Sequence, residues 1–201
     1  VVGVGGGVAY STLGGTHHAQ EDIAVMSALP NMSVVAPCDP LETESATWTC
    51  SQLKGPVYLR LGKAGEPILT ADALETFQFG KLRYLRKGKD VCILSYGPIM
   101  KIAMEIGKKI EEIGQTVSII SVHTLKPLDK EGIALALKTH PEVIVIEEHS
   151  QEGGLSAKTK QIAWESNAGC RLFTFSLKDS FLHTYGSQQD IWKAHGIDSR
   201  N

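Results

Sequence analysis

The chain has 201 residues, 42% of them hydrophobic and 21% charged, with a formal net charge of -2 at pH 7. This length accommodates one large domain or two small ones, and the balanced charge gives no reason to expect binding to nucleic acid or to an anionic membrane surface. No apolar run approaches the roughly 20 residues that span a bilayer, and no basic region precedes an apolar stretch at the start, so we expect neither a membrane helix nor a signal peptide.

The first part of the chain predicts a glycine-rich loop followed by helices and short strands. Asp39, Pro40 and Glu42 have the form of a helix start, with a side-chain cap, a proline at the first helical position and an acid that reaches back. The predicted elements are the loop over 3–15, a helix over about 20–28, a strand over 33–35, a helix from 40 to about 53 and a strand over 57–61.

The later part alternates continuous apolar runs with helical patterns. Isoleucines at a 3.6-residue spacing predict a helix over 98–113, and Gly114 supplies its stop. The flanking runs do not alternate, which predicts strands covered on both faces. Strands are predicted over 91–96, 117–122, 143–146 and 172–175, and further helices near 155–166 and 188–194. This alternation predicts an α/β fold with a mostly parallel sheet.

The mixed-polarity segment 63–80 is interpreted as a linker, with a domain boundary near residue 75. The unit 1–75 would then contain about two helices and two or three strands, which bury little apolar surface. We therefore interpret 1–75 as the later part of a larger α/β domain, followed by a second domain over 76–201.

The four cysteines form no C-x-x-C pair; they are Cys38, Cys50, Cys92 and Cys170. We expect buried free thiols rather than disulfides or metal ligands. Such thiols indicate a reducing, cytoplasmic setting.

The opening glycines do not form a dinucleotide-binding fingerprint. With Gly3 and Gly5 as the first two glycines, the third position of G-x-G-x-x-G is Val8, and no adequate strand precedes it. A flexible loop that passes close to a ligand or a partner explains the glycines better.

Two adjacent histidines, His17 and His18, end this loop and precede a helix whose first turn carries Glu21 and Asp22. The glycines allow a sharp turn, so the imidazoles can project into a cleft, where histidine can donate or accept a proton near neutral pH. A zinc site is disfavoured because no third ligand is near. A loop whose histidines cap the helix or contact solvent remains an equal alternative.

Segments along nearly the whole chain resemble transketolases, in the same order and at the same spacing. Residues 15–18, GTHH, with Glu21 three residues on, resemble the loop of the pyrimidine-binding domain in transketolases and deoxyxylulose-phosphate synthases. The other matching segments are LPNMSVVAP at 29–37 with Asp39, GPVYLRL at 55–61, GKDV at 88–91, HTLKPLD at 123–129, EEHS at 147–150 and GGL at 153–155. The chain thus resembles the end of a pyrimidine-binding domain followed by a transketolase C-terminal domain, as in split transketolase C-terminal subunits.

The resemblance implies roles for a few residues. His17 matches the histidine that lies beside the substrate hydroxyl near the reacting carbonyl and helps to move protons. His18, which is glutamine in typical transketolases and histidine in deoxyxylulose-phosphate synthases, is a second catalytic candidate. Arg60 matches the arginine that binds the sugar phosphate, although a strand-end surface charge is the alternative. Leu13 replaces an acid that contacts a substrate hydroxyl in transketolases, which leaves room for another sugar or an oxoacid donor.

The resemblance also implies different roles for the two domains, with substrate binding in the first and a mainly architectural role in the second. His149 follows two acids at a predicted strand end, beside Gly153 and Gly154, where α/β sheets often bind ligands. The C-terminal domain of the family is mainly architectural, so we expect a structural role for His149. Glu147 and Glu148 point to alternate faces of a strand and do not form an evident acid–base pair.

The implied cofactor is thiamine diphosphate with Mg²⁺. The chain lacks a Gly-Asp-Gly motif to hold the metal on the diphosphate. In the family, the glutamate and the aromatic platform that contact the pyrimidine lie upstream of the glycine-rich loop. We therefore expect no complete cofactor or metal site in this chain, and neither tight cofactor binding nor turnover by it alone. The implied partners are a diphosphate-binding N-terminal domain or subunit and a second copy of the chain, as a homodimer.

The leading hypothesis is part of a transketolase, which transfers a two-carbon ketol unit between sugar phosphates. Within enzymes, the alternatives are a deoxyxylulose-phosphate synthase, which His18 favours, and the β-subunit of a 2-oxoacid dehydrogenase E1 component. A non-catalytic assembly module is the alternative from another class. Such a module has no need of His17 and Arg60 in one cleft, so their relative position discriminates between the classes.

Overall fold

The computed structural model describes residues 1–181 and 183–199, which form two β-sheets with helices packed on them. The strands are β1 (Val2–Val4), β2 (Ser33–Val35), β3 (Val57–Leu61), β4 (Arg83–Arg86), β5 (Val91–Ser95), β6 (Val117–Ser121), β7 (Thr124–Lys126), β8 (Glu142–Ser150) and β9 (Arg171–Leu177). The helices are α1 (Asp22–Ala28), α2 (Pro40–Gln52), α3 (Met100–Glu112), α4 (Lys130–Thr139), α5 (Leu155–Glu165) and α6 (Gln188–Ala194).

The first sheet contains a strand from the later part of the chain. Its order is β1-β3-β2-β7, in which β1, β3 and β2 are parallel and β7 runs antiparallel to β2. The amide of Ala36 donates to the carbonyl of His123 at 2.7 Å and continues this junction. The sheet therefore extends across the boundary predicted near residue 75.

The second sheet has the order β4-β6-β5-β8-β9, and only β4 is antiparallel to its neighbour. Every residue of β5 and β6 is buried, as their continuous hydrophobicity predicts. The α3 helix buries one face and is followed by Gly114 with a φ of 84°. The predicted α/β class and mostly parallel sheet are confirmed.

Four elements were absent from the prediction, namely β1, β4, β7 and α4. The three strands have only three or four residues each, too few for a clear periodic signal. The start of α4 did carry a signal, because the carboxylate of Asp129 accepts a hydrogen bond from the amide of Gly132 at 3.1 Å. The predicted cap of α2 is confirmed by a 2.7 Å bond from the amide of Glu42 to Asp39.

The segment 63–80 has no helix or strand but is packed rather than free. Asp39 accepts hydrogen bonds from the amides of Leu69 and Thr70, each at 2.7 Å. The ring of Phe77 stacks on that of His123 with 4.0 Å between centroids. The segment therefore fixes the two sheets to each other instead of tethering them loosely.

One hydrophobic cluster spans both parts of the chain. It combines residues of the first part, such as Ile23, Val34 and Tyr58, with residues of the second, such as Leu94 and Leu155. The stabilisation from apolar burial is roughly proportional to the apolar area removed from water. The small first part of the chain therefore gains stability by packing on the second.

The cysteines are free, as predicted; Cys38 and Cys92 are buried and the other two are partly buried. Among the described residues, no helix combines the length and the apolar character needed to cross a membrane.

Candidate active site

The glycine-rich loop lies at the carboxyl ends of the parallel strands β1, β2 and β3, where α/β sheets commonly bind ligands. The amide of Gly5 donates to the carbonyl of Gly62 at 3.0 Å. Gly7 and Ala19 exchange two backbone bonds of 3.1 and 2.8 Å, which close the loop at its base. Gly7 has a φ of 65°, and a Cβ there would lie 2.3 Å from the side chain of Glu148. Only glycine fits this position.

The loop presents the two histidines differently. His17 is exposed at the end of a 3-10 turn over Gly15–His17, and its Nδ1 lies 3.1 Å from the hydroxyl of Thr16. The Nε2 atom of His17 is thus the nitrogen available to a bound hydroxyl.

His18 is half-buried, and neither ring nitrogen has a hydrogen-bond partner within the described residues. Burial lowers the pKa of His18, and the neighbouring charge of His17 lowers it further. An imidazole with a lowered pKa is neutral at pH 7. The neutral imidazole of His18 can therefore donate one hydrogen bond and accept another.

Arg60 lies beneath the loop and is only 2% exposed. Its Nε donates to Asp22 at 2.8 Å, and its Nη2 donates to the carbonyls of Ala19 and Glu148 at 3.1 and 2.9 Å. Burial acts to lower the pKa of Arg60, but the charges of Asp22, Tyr96 and Glu148 and the hydrogen bond to Asp22 together outweigh it, so the pKa is raised. The guanidinium is therefore charged and committed to protein acceptors, unlike the exposed fork that a phosphate ligand requires.

Glu148 connects the loop to the C-terminal helix. One carboxylate oxygen, Oε1, accepts from the amide of Val8, from Gln188 and from the indole of Trp192, each at 2.8 Å. Burial raises the pKa of Glu148, whereas Arg60 and the three donors oppose the rise. Sequence reasoning missed this role. The available signal was an acid that directly follows an apolar strand run and precedes Gly153 and Gly154 by a few residues.

Glu147 and His149 have structural roles. The carboxylate of Glu147 accepts from the amides of Leu155 and Ser156 at 2.7 and 2.8 Å and caps α5. His149 accepts from the amide of Ala24 at 3.3 Å, while its Nδ1 lies 2.8 Å from the carbonyl of Ser150. The two neighbouring acids thus serve different sides of β8, as the strand alternation predicts.

The C-terminal segment packs over the loop. A Cβ on Gly14 would contact the ring of Tyr185, and α6 packs against the 3-10 turn over Ser11–Leu13. His195 is 3% exposed, and its Nδ1 accepts from the amide of Lys178 at 2.9 Å. Burial, with smaller contributions from the charges of Lys178 and His18, lowers the pKa of His195 to about 4.

A pocket of about 280 Å³ opens at the same strand ends. The pocket is lined by residues that follow β3, by the start of α2 and by Pro98. Lys63, which is exposed, is a cation on its rim, three residues beyond Arg60. The sequence analysis did not single out Lys63, because it lies in the segment interpreted as a linker.

Across residues 1–181 and 183–199, no group of three or more histidine, cysteine, aspartate or glutamate side chains is placed to hold a metal ion. The chemistry that the chain itself can supply is that of an imidazole beside a cleft.

Parallel strands that end at a histidine-bearing loop, followed by a second, mostly parallel sheet, define an α/β protein with a candidate site at its strand ends. The chain belongs to the transketolase family. Residues 1–65 match the family model of the transketolase pyrimidine binding domain, and residues 80–200 match that of the transketolase C-terminal domain. These matches confirm the family that the sequence motifs indicate.

Three similar proteins illustrate the relationship. The chain is 32% identical over 98% of its length to one of the subunits of the apulose-4-phosphate transketolase of Phocaeicola vulgatus, and 31% identical over 100% of its length to a putative transketolase C-terminal section of Methanocaldococcus jannaschii. It spans 62% and 63% of the lengths of these relatives. A solved structure described as a split gene transketolase, inactive beta4 tetramer, superposes with a TM-score of 0.86 at 29% identity, over 99% of this chain and 62% of that one.

Proposed function

We propose that this chain is the histidine-bearing, C-terminal portion of a thiamine-diphosphate-dependent transketolase that transfers a two-carbon ketol unit between sugar phosphates. The observation that carries the proposal is the exposed imidazole of His17 on a loop fixed at the strand carboxyl ends. Family membership supports the reaction class. The names of the relatives support a sugar phosphate as substrate.

The chain's contribution to the reaction is orientation and proton transfer. We assign the Nε2 atom of His17 to the substrate hydroxyl beside the reacting carbonyl, because Nδ1 is already directed to Thr16. His18, neutral at pH 7, is assigned to a second hydroxyl as donor or acceptor. Both assignments rest on the position of the histidine loop at the carboxyl ends of the parallel strands.

The phosphate contact requires a different assignment from the one that the sequence suggests. Arg60 is 2% exposed, and its Nε and Nη2 already donate to Asp22 and to two carbonyls. Use of these nitrogens for a phosphate would break the ion pair with the partly buried Asp22. We therefore assign the sugar phosphate to Lys63 at the rim of the adjacent pocket.

We infer that the diphosphate end of the cofactor and its metal are held by a partner domain or subunit. The relative from P. vulgatus is named as one part of a transketolase with separate subunits, and the solved relative is described as an inactive tetramer of one chain type. By analogy, this chain alone should form homo-oligomers without turnover. Four free cysteines support a reducing, cytoplasmic location.

The test combines this chain with its diphosphate-binding partner and measures thiamine-diphosphate binding by calorimetry and ketol transfer from a ketose phosphate. We expect binding and turnover only in the mixture. His17→Ala should lower kcat by about 100-fold or more, the range lost with a general acid–base group. Thr47→Ala, on the exposed face of α2, is the control and should leave kcat unchanged.

Two other outcomes would change the conclusion. Cofactor binding without transfer from sugar phosphates would retain the family but point to another donor. Failure of the mixture to bind the cofactor would favour the assembly module, as would full activity of His17→Ala.

A further inference from the structure

Arg60 joins three separate segments beneath the histidine loop. It extends from the end of β3 to Asp22 at the start of α1, to the carbonyl of Ala19 one residue after His18, and to the carbonyl of Glu148 in β8. The hydroxyl of Tyr58 donates to the same carboxylate oxygen of Asp22 at 2.8 Å. The exit of the loop is therefore fixed by charge-assisted hydrogen bonds, which are the stronger class.

Glu148 fixes the entrance of the same loop from the other side. Its carboxylate holds the amide of Val8, which directly follows Gly7 at the base of the loop. The same oxygen receives the side chains of Gln188 and Trp192 from α6. Because the carbonyl of Glu148 also accepts from Arg60, both ends of the loop are tied to one residue of the second sheet.

We propose that Arg60 and Glu148 are positioning residues, which together hold the histidine loop in its working geometry and make α6 part of that support. This proposal rests on the proposed function of His17. It assigns to the second domain an effect on the reacting groups, in addition to the mainly architectural role expected from the resemblance.

The burial of the network supports positioning over ligand binding. Arg60 and Glu148 are 2% and 1% exposed, so neither can reach a substrate without rearrangement of the loop. The guanidinium of Arg60 is buried, and its Nε and Nη2 donate to three acceptors, which restricts the conformations of Arg60 and of the segments that it contacts. Small displacements of a catalytic group lower rates strongly, by about 100-fold for 1 Å.

The first experiment separates positioning from phosphate binding in the complex with the diphosphate-binding partner. Arg60→Lys keeps the charge but loses the fork. If Arg60 positions the loop, kcat should fall about 10- to 100-fold with a phosphorylated and with an unphosphorylated ketose alike. If Arg60 binds phosphate, the variant should raise KM for the phosphorylated ketose alone, and the proposal is wrong. Arg171→Lys, in an exposed ion pair, is the matched control.

The second experiment does not depend on activity. The titration of His18, followed by NMR in the same complex, reports whether the loop is held. In Glu148→Gln we expect the pKa of His18 to rise from its lowered value toward that of a solvated imidazole, because the loop moves away from its buried position. Glu147→Gln removes an adjacent buried charge that caps α5 and should leave this titration unchanged.

Three results would overturn the proposal: an unchanged His18 titration in folded Glu148→Gln, an equal change in Glu147→Gln, or normal kcat in Arg60→Lys. If Glu148→Gln does not fold, Trp192→Phe removes one donor from α6 and should shift the titration in the same direction by a smaller amount. An inactive wild-type complex would refute the proposed function, while the titration would still decide the role of Glu148.

Discussion

Glu42 forms a buried ionic link between the two parts of the chain, and its removal makes a strong test of how they are held together. The side chain is fully buried and accepts from Arg83 at 3.1 Å and from the hydroxyl of Ser121 at 2.9 Å, both in the second sheet. It also accepts from the amide of Cys38 at 2.9 Å, just before α2. Replacement of Glu42 therefore leaves the buried guanidinium of Arg83 without its carboxylate partner and two further donors without their acceptor.

The expected loss follows from these contacts. Removing one partner of a buried ion pair costs about 3–5 kcal/mol. Because domains are stable by only about 5–15 kcal/mol in total, Glu42→Leu should remove about a fifth or more of the free energy of unfolding. Arg83→Met in the same chain removes the unpaired charge, so the double variant should be more stable than Glu42→Leu alone.

The assay is urea denaturation followed by circular dichroism for the wild type, both single variants and the double variant. Glu142→Ala, which breaks the exposed pair of Arg171 and Glu142, is the control and should change stability by no more than about 1 kcal/mol. A loss below about 1 kcal/mol for Glu42→Leu, or additive losses in the double variant, would refute the reasoning.

Two further predictions concern pH and the substrate phosphate. Burial lowers the pKa of His123 to about 4, so its contribution to stability is present above its unfolded pKa and is lost, by about 3 kcal/mol, as pH falls from about 6.5 to 4. His123→Phe should flatten this part of the stability–pH curve in urea titrations, and a variant curve parallel to the wild type would contradict the assignment. Lys63→Met should raise KM for a phosphorylated ketose about tenfold, the equivalent of about 1.4 kcal/mol, with kcat retained. Lys54→Met changes an exposed lysine outside the pocket and should not raise KM. Equal KM values in the two variants would contradict the assignment of the phosphate to Lys63.

The sequence predicted the elements whose signals are local. The α2 cap at Asp39, the stop of α3 at Gly114 and the buried runs of β5 and β6 each depend on residues a few positions apart. Helix ends were predicted to within about two residues. The order and spacing of the motifs were sufficient to identify the family, because both can be compared without knowledge of the contacts in the folded chain.

The candidate site was predicted only in part. The sequence located the loop that carries His17 and His18, since the glycines and histidines are contiguous. It did not show that Arg60 lies beneath the loop, because a strand residue near a chain turn can be exposed or covered by segments far away in sequence. Its partners Ala19 and Glu148 are 41 and 88 residues away.

The sequence by itself thus determined the class of fold, the family and the loop that bears the histidines, all of which depend on local pattern and motif order. The tertiary structure decided that β7 completes the first sheet, that the segment 63–80 is packed, and that Arg60 and Glu148 support the loop from below. These features depend on long-range contacts. Burial removes charged groups from water and forces them to pair, and the available partners are defined only once the chain is folded.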